Sequence, residues 1–246
     1  MKTKVRVLLL GAKGRMGQAI AKAAPQAEVE IVAGLDLGDE IANEIQNCDV
    51  VIDFSHANAS AELSRICGES KKPAVIGTTG HSKEERAAVE DLARAVPVVL
   101  SPNFSVGVNA LFWLTRKAAE MLGDDFDLEI TEMHHRLKKD APSGTAKKLA
   151  EILCDVRGLD YGKNVRHGRE GLIGERPEKE IGVHSIRGGD VVGDHTVTFA
   201  GAGERLELSH KAASRETFAL GALRAARWVV GQPPRLYSME DVLGLR

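Results

Sequence analysis

Over its first hundred residues the chain alternates short apolar runs with amphipathic stretches, and this alternation most limits the folds open to it. VRVLLL (5–10), EVEIVAGLD (28–36), DVVIDFS (49–55), PAVIGTT (73–79) and PVVLSPN (97–103) are compact and strand-like. RMGQAIAKAA (15–24), ANASAELSRICGES (57–70) and SKEERAAVEDLARA (82–95) have helical spacing, the last opened by a Ser-x-x-Glu capping box. Strands that are apolar almost throughout, separated by helices, need cover on both faces, and that is the condition for a parallel sheet.

After Asn103 the pattern changes. VGVNALFWLTRKAAEMLG (106–123) predicts a long helix, FDLEITEMHH (126–135) a strand with one wet face, and SGTAKKLAEILCDVRG (143–158) a second helix. Residues 182–212 read as a meander of antiparallel strands with glycine turns, and TFALGALRAARWVVG (217–231) as a final helix. The Gly-, Arg- and Glu-rich stretch from about 158 to 181 reads as a long loop. The expectation is an α/β protein of two domains. Residues 1–104 and 216–246 form a Rossmann-like parallel-sheet domain that binds a dinucleotide. Residues 105–215 form an α+β domain with a mixed or antiparallel sheet, with hinges near Asn103 and Arg215.

Composition narrows the partners. With a formal net charge of −2 the chain has no global attraction to nucleic acid or to an anionic membrane, so anion binding has to be local. No stretch approaches the apolar length of a membrane helix, and the apolar run behind the basic N-terminus leads straight into glycines, as a first strand does. Cys48, Cys67 and Cys154 are odd in number and far apart, which suggests neither a disulfide framework nor a metal site and fits a reducing cytoplasm.

Two segments carry chemistry. VLLLGAKGRMG sets Gly11, Gly14 and Gly17 between the first strand and the first helix, where close backbone turns bring N–H groups and a helix dipole to a diphosphate. Asp36 ends the second strand, where a carboxylate accepts the hydroxyls of an adenosine ribose. Leu37 follows it in place of an arginine that would hold a 2′-phosphate, while Lys13 offers a point charge. Use of both NADH and NADPH is expected, NADH at least as well. The turns Gly77-Thr78-Thr79-Gly80 and Ser101-Pro102-Asn103-Phe104 fall at strand ends; small residues at 77–79 leave room for a nicotinamide, and Phe104 is expected to pack against its ring. Either turn taken alone also reads as ordinary.

The second segment is EMHHRLKKDAPSGTA, residues 132–146. His134 and His135 close a strand and point to opposite faces, and Lys138 lies near enough to curl back. Ser143 is the expected N-cap of the next helix, with Gly144 and Thr145 in its first turn; this helix start is an anion site the size of one carboxylate, and Ser143 is expected among the substrate contacts there with Gly144 and Thr145. Cationic donors beside a helix N-terminus suggest a small dianionic substrate. No metal-ligand spacing accompanies the histidines, and no G-x-S-x-G elbow is present.

With GAKGRMG, GTTG, SPNFSVGVN, the histidine block and IRGGDVVGDHTVTF…GERLELSHKAASRETFALGA in this order, the chain resembles the bacterial 4-hydroxy-tetrahydrodipicolinate reductases (dihydrodipicolinate reductases) of the diaminopimelate–lysine pathway. The resemblance implies a catalytic His134, a proton-donating Lys138, substrate contacts from His135, Gly144 and Thr145, and cofactor contacts from Gly11, Ala12, Lys13, Gly14, Arg15, Met16, Asp36, Gly77, Thr78, Thr79, Ser101, Pro102, Asn103 and Phe104. A homotetramer assembled through the sheet of the second domain is implied as well. With cofactor on the first domain and substrate on the second, hydride transfer calls for closure about the two linkers. Another nicotinamide-dependent reductase and a non-catalytic dinucleotide sensor are the alternatives.

Overall fold

The computed structural model describes residues 4–245. The chain divides into two compact units: one from the described residues up to Val106 together with those from Arg215 onward, the other from Gly107–Ser214.

Unit one runs β1 (Val5–Leu10), α1 (Arg15–Ala23), β2 (Val29–Leu35), α2 (Ile41–Glu44), β3 (Val50–Asp53), α3 (Ser60–Ser70), β4 (Ala74–Ile76), α4 (Lys83–Ala95) and β5 (Val98–Leu100). Its strands pair in parallel in the order β2, β1, β3, β4, β5, and the sheet ends on β11 (Leu236–Tyr237), a strand too short for any periodicity to announce. Strand order reverses between β1 and β3, the kind of switch point at whose carboxyl ends the ligands of open parallel sheets bind. Apolar residues cover both faces: Leu9, Ile20, Val50, Ile52 and Val75 pack on one side, Leu8, Val51, Leu63, Ile76 and Val89 on the other. The capping box of α4 forms as expected, Ser82 Oγ accepting from Glu85 N at 3.2 Å and Glu85 Oε2 from Ser82 N at 2.7 Å.

Unit two holds α5 (Val106–Leu122, its first residue at the boundary), β6 (Asp127–His134), α6 (Gly144–Arg157), α7 (Tyr161–Asn164), β7 (Val165–His167), β8 (Ile181–Arg187), β9 (Gly193–Ala200) and β10 (Arg205–Ala212). The chain then returns to unit one with α8 (Glu216–Val229), β11 and α9 (Met239–Leu243). The sheet order is β10, β9, β6, β8, β7.

Here the structure corrects the sequence reading. Residues 182–212 are not one antiparallel meander: β9 and β10 form a hairpin, but β8 lies on the opposite side of β6 and runs parallel to it. The physical reason is the crossover, since α6 carries the chain over the sheet between β6 and β8, and a helix crossover returns a strand in the same direction. The stretch 158–181 is not wholly loop, because α7 and the edge strand β7 occupy 161–167.

Alternation along β6 sorts its side chains between two environments. Leu128, Ile130, Glu132 and His134 share one buried face, while Asp127, Glu129, Thr131 and Met133 share the other. Leu128 and Ile130 join a core with Leu149, Ile152 and Leu153 of α6, and with Val183, Val197 and Phe199 from neighbouring strands. The opposite face is tied down by charge. Glu129 accepts from Arg169 Nη1 at 3.1 Å, from Arg176 Nε at 3.1 Å and from the ring of His184 at 2.8 Å, and Arg169 also reaches Glu180. Burial would raise the Glu129 carboxyl, but these donors outweigh it and bring it down to about 2.

Candidate active site

In unit one the loops after β1 and β3 are pressed together. Gly11 sits at φ 76°, and a Cβ there would come within 2.4 Å of the Phe54 carbonyl oxygen; a Cβ on Gly17 would lie 2.2 Å from the Gly11 oxygen. Only glycine folds this closely onto a helix start. Gly14 is the N-cap of α1 in extended backbone, no side chain caps it, and the first turn carries no acid. Uncapped N–H groups and the helix dipole suit a phosphate at that end. Asp36 accepts the Lys13 backbone N–H at 3.1 and 3.2 Å, which draws its carboxylate onto the glycine turn. Beside it, Leu37 is 98% exposed and brings no cation. A tight glycine cradle, an uncapped helix start and a carboxylate at the end of β2 together fit a nicotinamide dinucleotide.

The two other turns behave differently from the sequence reading. The space freed by Gly77 is filled by the ring of Phe54, whose carbons lie 2.3 Å from where a Cβ would be, so that glycine serves packing. Thr78 is buried and its hydroxyl donates to Asp53 Oδ2 at 2.8 Å. Ser101 Oγ donates to the Asn103 carbonyl at 2.7 Å, closing the turn on itself. Phe104, expected against the nicotinamide ring, is instead 1% exposed, its side chain tilted against Phe54 in the core with ring centroids 5.6 Å apart. An apolar ring at the junction of β5 and α5 gains more by joining the core than by waiting in solvent. What these turns present is backbone and Thr79, Gly80 and Pro102, which line a cavity of about 400 Å³ together with His81 and Arg86.

The centre of unit two is a carboxylate that the sequence reading left out. Glu132 is fully buried. Its Oε2 accepts from His134 Nδ1 at 2.6 Å and from Arg187 Nη1 at 2.8 Å; its Oε1 accepts from Arg187 Nη2 at 2.8 Å and from the backbone N–H of Ser143 at 3.2 Å. Burial opposes the charge, but hydrogen bonds from His134, Arg187 and Ser185 outweigh it and hold the carboxyl well below the usual carboxylate range. Arg187 Nη2 also donates to the Asp140 carbonyl at 2.8 Å, and the Asp140 carboxylate accepts from Lys138 Nζ at 2.8 and 2.9 Å. Both expected proton donors are therefore linked to one buried acid.

Ser143 is the N-cap of α6, with Oγ accepting from Ala146 N at 3.2 Å. The same oxygen bonds His195 Nε2 at 3.0 Å, and the residue is buried. Its side chain and N–H are thus committed to the protein, which corrects its expected place as a substrate contact. Gly144 differs: a Cβ there would meet nothing within 4 Å, so the helix start is open on that side, with Thr145 half-buried beside it. His195 stacks edge-on against His134 with centroids 5.2 Å apart. Burial first, then the neighbouring His134, depress the His195 imidazole to about 3, so it stays neutral. Gly193 lies against the far nitrogen of His134, where a Cβ would sit 2.9 Å from Nε2. His135, half-buried, donates its backbone N–H to the Val191 carbonyl at 2.7 Å.

Of the residues missed, Glu132 had a signal in sequence, because an acid two positions before a histidine on a strand shares its face. Arg187, His195 and Gly193 come from strands distant in sequence, and only pairing brings them in: His134 sits opposite Arg187, and Glu132 opposite His195.

Residues 5–104 match the family described as dihydrodipicolinate reductase, N-terminus, and residues 107–243 match dihydrodipicolinate reductase, C-terminus. The chain is 57% identical over 242 residues to the 4-hydroxy-tetrahydrodipicolinate reductase of Akkermansia muciniphila, covering 98% of each protein. It is 45% identical over 266 residues to that of Geotalea uraniireducens, covering 98% of this chain and 100% of the relative. Among solved structures, the dipicolinate-bound dihydrodipicolinate reductase from Paenisporosarcina sp. TG-14 superposes with a TM-score of 0.77 at 27% identity, covering 97% of this chain and 98% of the other. On a two-part match that spans nearly its whole length, this chain belongs to the dihydrodipicolinate reductase family.

Proposed function

We propose that the protein reduces 4-hydroxy-tetrahydrodipicolinate to tetrahydrodipicolinate at the expense of NADH or NADPH, a step of diaminopimelate and lysine biosynthesis, with release of water. The observation that carries the reading in this chain is the His134 ring, anchored through Nδ1 to a buried carboxylate and tied through Arg187 and Asp140 to Lys138. A dinucleotide sensor would have no use for that arrangement, and a reductase of a neutral carbonyl would have none for the open start of α6.

The nicotinamide, when bound, supplies the hydride that C4 of the dehydrated substrate ring accepts. The protein's residues do the rest. Gly144 and Thr145, at the helix start, bind a substrate carboxylate, and His135 adds a contact. As electrons move to the ring nitrogen, His134 and Lys138 supply the proton, an effect of about 10²- to 10⁴-fold in rate for a placed acid. In unit one the glycine turn from Gly11 to Met16 holds the diphosphate and Asp36 the adenosine ribose, favouring NADH at least equally with NADPH because Leu37 offers no charge. The backbones of Gly77–Thr79 and Ser101–Phe104 face the nicotinamide half. A homotetramer joined through the sheet of unit two, and a cytoplasmic location, complete the reading; among the described residues no helix is long and apolar enough to cross a membrane.

The test is NADH oxidation with freshly condensed pyruvate and aspartate semialdehyde as substrate. The wild type should turn over, and His134→Gln should lose about 10²-fold or more in kcat with little change in KM. Unchanged turnover in that variant would remove His134 from the mechanism.

A further inference from the structure

We propose that Glu132 is a positioning residue that decides which nitrogen of His134 carries the transferable proton. The proposal rests on the reading of His134 as proton donor and adds to it the group that sets the donor's tautomer and ring orientation. An ionised carboxylate only accepts hydrogen bonds. The 2.6 Å contact between Oε2 and Nδ1 therefore requires the hydrogen on Nδ1. Turning the ring over would replace that nitrogen with a carbon and break the bond.

Glu132 cannot turn away in response, because each of its oxygens already receives two donors: His134 and Arg187 on one, Arg187 and Ser143 on the other. Solvent does not reach it. The bonds from His134 and Arg187 also help hold the carboxylate ionised against the cost of burial. With Nδ1 committed, the proton available to a substrate sits on Nε2, the nitrogen that lies against Gly193. When the bond from Nε2 to that proton breaks, a new N–H bond forms on the substrate ring, His134 remains as the neutral Nδ1–H tautomer, and the resulting enamine reaches the imine product by passing a proton from nitrogen to ring carbon. No proton moves to or from Glu132, and solvent restores the one on Nε2. The same carboxylate takes the N–H of the α6 N-cap residue, so the donor and the helix start that binds the substrate carboxylate share one anchor.

The first measurement needs no mutation. With the full chain labelled with ¹⁵N in histidine and the pH raised until the His134 signals stop moving, the ring should show Nδ1 protonated and Nε2 bare; the reverse tautomer would overturn the proposal. In Glu132→Gln an amide replaces two equivalent oxygens. The single tautomer should give way to a mixture, and kcat should fall about 10²-fold or more while the nucleotide KM stays as in wild type. A folded Glu132→Gln enzyme whose kcat lies within about threefold of wild type overturns the idea, as does a fall in kcat with the His134 tautomer unaltered. His134→Gln, assayed in parallel, keeps the two failures apart: if it retains turnover, the reading of the site falls, whereas the nitrogen spectra judge the role of Glu132 by themselves.

Discussion

The two units prepare their binding surfaces from different materials. Unit one builds its candidate nucleotide site from backbone: glycines packed so that a Cβ would strike a carbonyl at 2.2 to 2.4 Å, and a helix start with no side-chain cap. Unit two builds its candidate site from ionisable side chains, the buried Glu132, His134 and His195 with a half-buried Arg187, held in place by one another. A backbone site tolerates nearly any neighbouring side chain but no added carbon atom. A side-chain site tolerates small changes of shape but not the loss of a partner, because an ionised group left alone in the interior is costly.

The sharpest way to break this contrast is Arg187→Met. It leaves Glu132 buried without its two-pronged partner and should destabilise unit two by about 3–5 kcal/mol, read by urea unfolding of the whole protein together with hydrogen exchange resolved by unit. A loss no larger than that of an ordinary surface change would mean the network is ornamental. Acid should separate the units next. The folded His195 lies at about 3, below its ordinary 6.5, so the stability tied to its neutral form is complete above 6.5 and drains away as pH falls toward 3. Glu129, lowered from 4.5 to about 2, adds a second loss over that lower window. In unit one, the depressed Asp49 carboxyl belongs to a pair with Arg6 that is partly open to water. Hydrogen exchange across a pH series should therefore show unit two opening first.

Gly17→Ala is the matching experiment on backbone. Its methyl would meet the Gly11 oxygen, costing about 1–3 kcal/mol and weakening nucleotide binding, measured by calorimetry, while the His134 nitrogen spectrum stays as it was. The smallest structural effect is expected from Leu37→Arg. This side chain is almost fully exposed, so stability should move by no more than about 0.5 kcal/mol. The ratio of kcat/KM for NADPH to that for NADH should nevertheless rise about tenfold, because a guanidinium then stands where a 2′-phosphate would lie.

The same contrast explains what could be read from sequence. Backbone requirements are local, so the spacing of Gly11, Gly14 and Gly17 before a helix pattern, and Asp36 at the end of the next strand, placed the glycine turn directly. The alternation of strands and helices gave the parallel sheet for the same reason. The partners of His134 were not legible, because Arg187 and His195 reach it through strand pairings that skip over the chain. The position of β8 beside β6 was hidden by the glycine turns, which mark where strands stop but not which neighbour they join. Phe104 and Ser143 misled in a common way. Each lies in a motif, and each is consumed by the fold, one as core and one as a helix cap.

Strand β6 has a last consequence. Leu128, Ile130, Glu132 and His134 occupy one face in strict alternation, two oily residues and then two ionisable ones. A shift of a single residue would put the carboxylate of Glu129 into the oil and turn Leu128 and Ile130 toward water. Such a slip would take Leu128 and Ile130 out of the core of unit two. Hydrophobic sorting thereby acts as a check on the register of this face, and a molecule that passes it already has its imidazole set against Glu132.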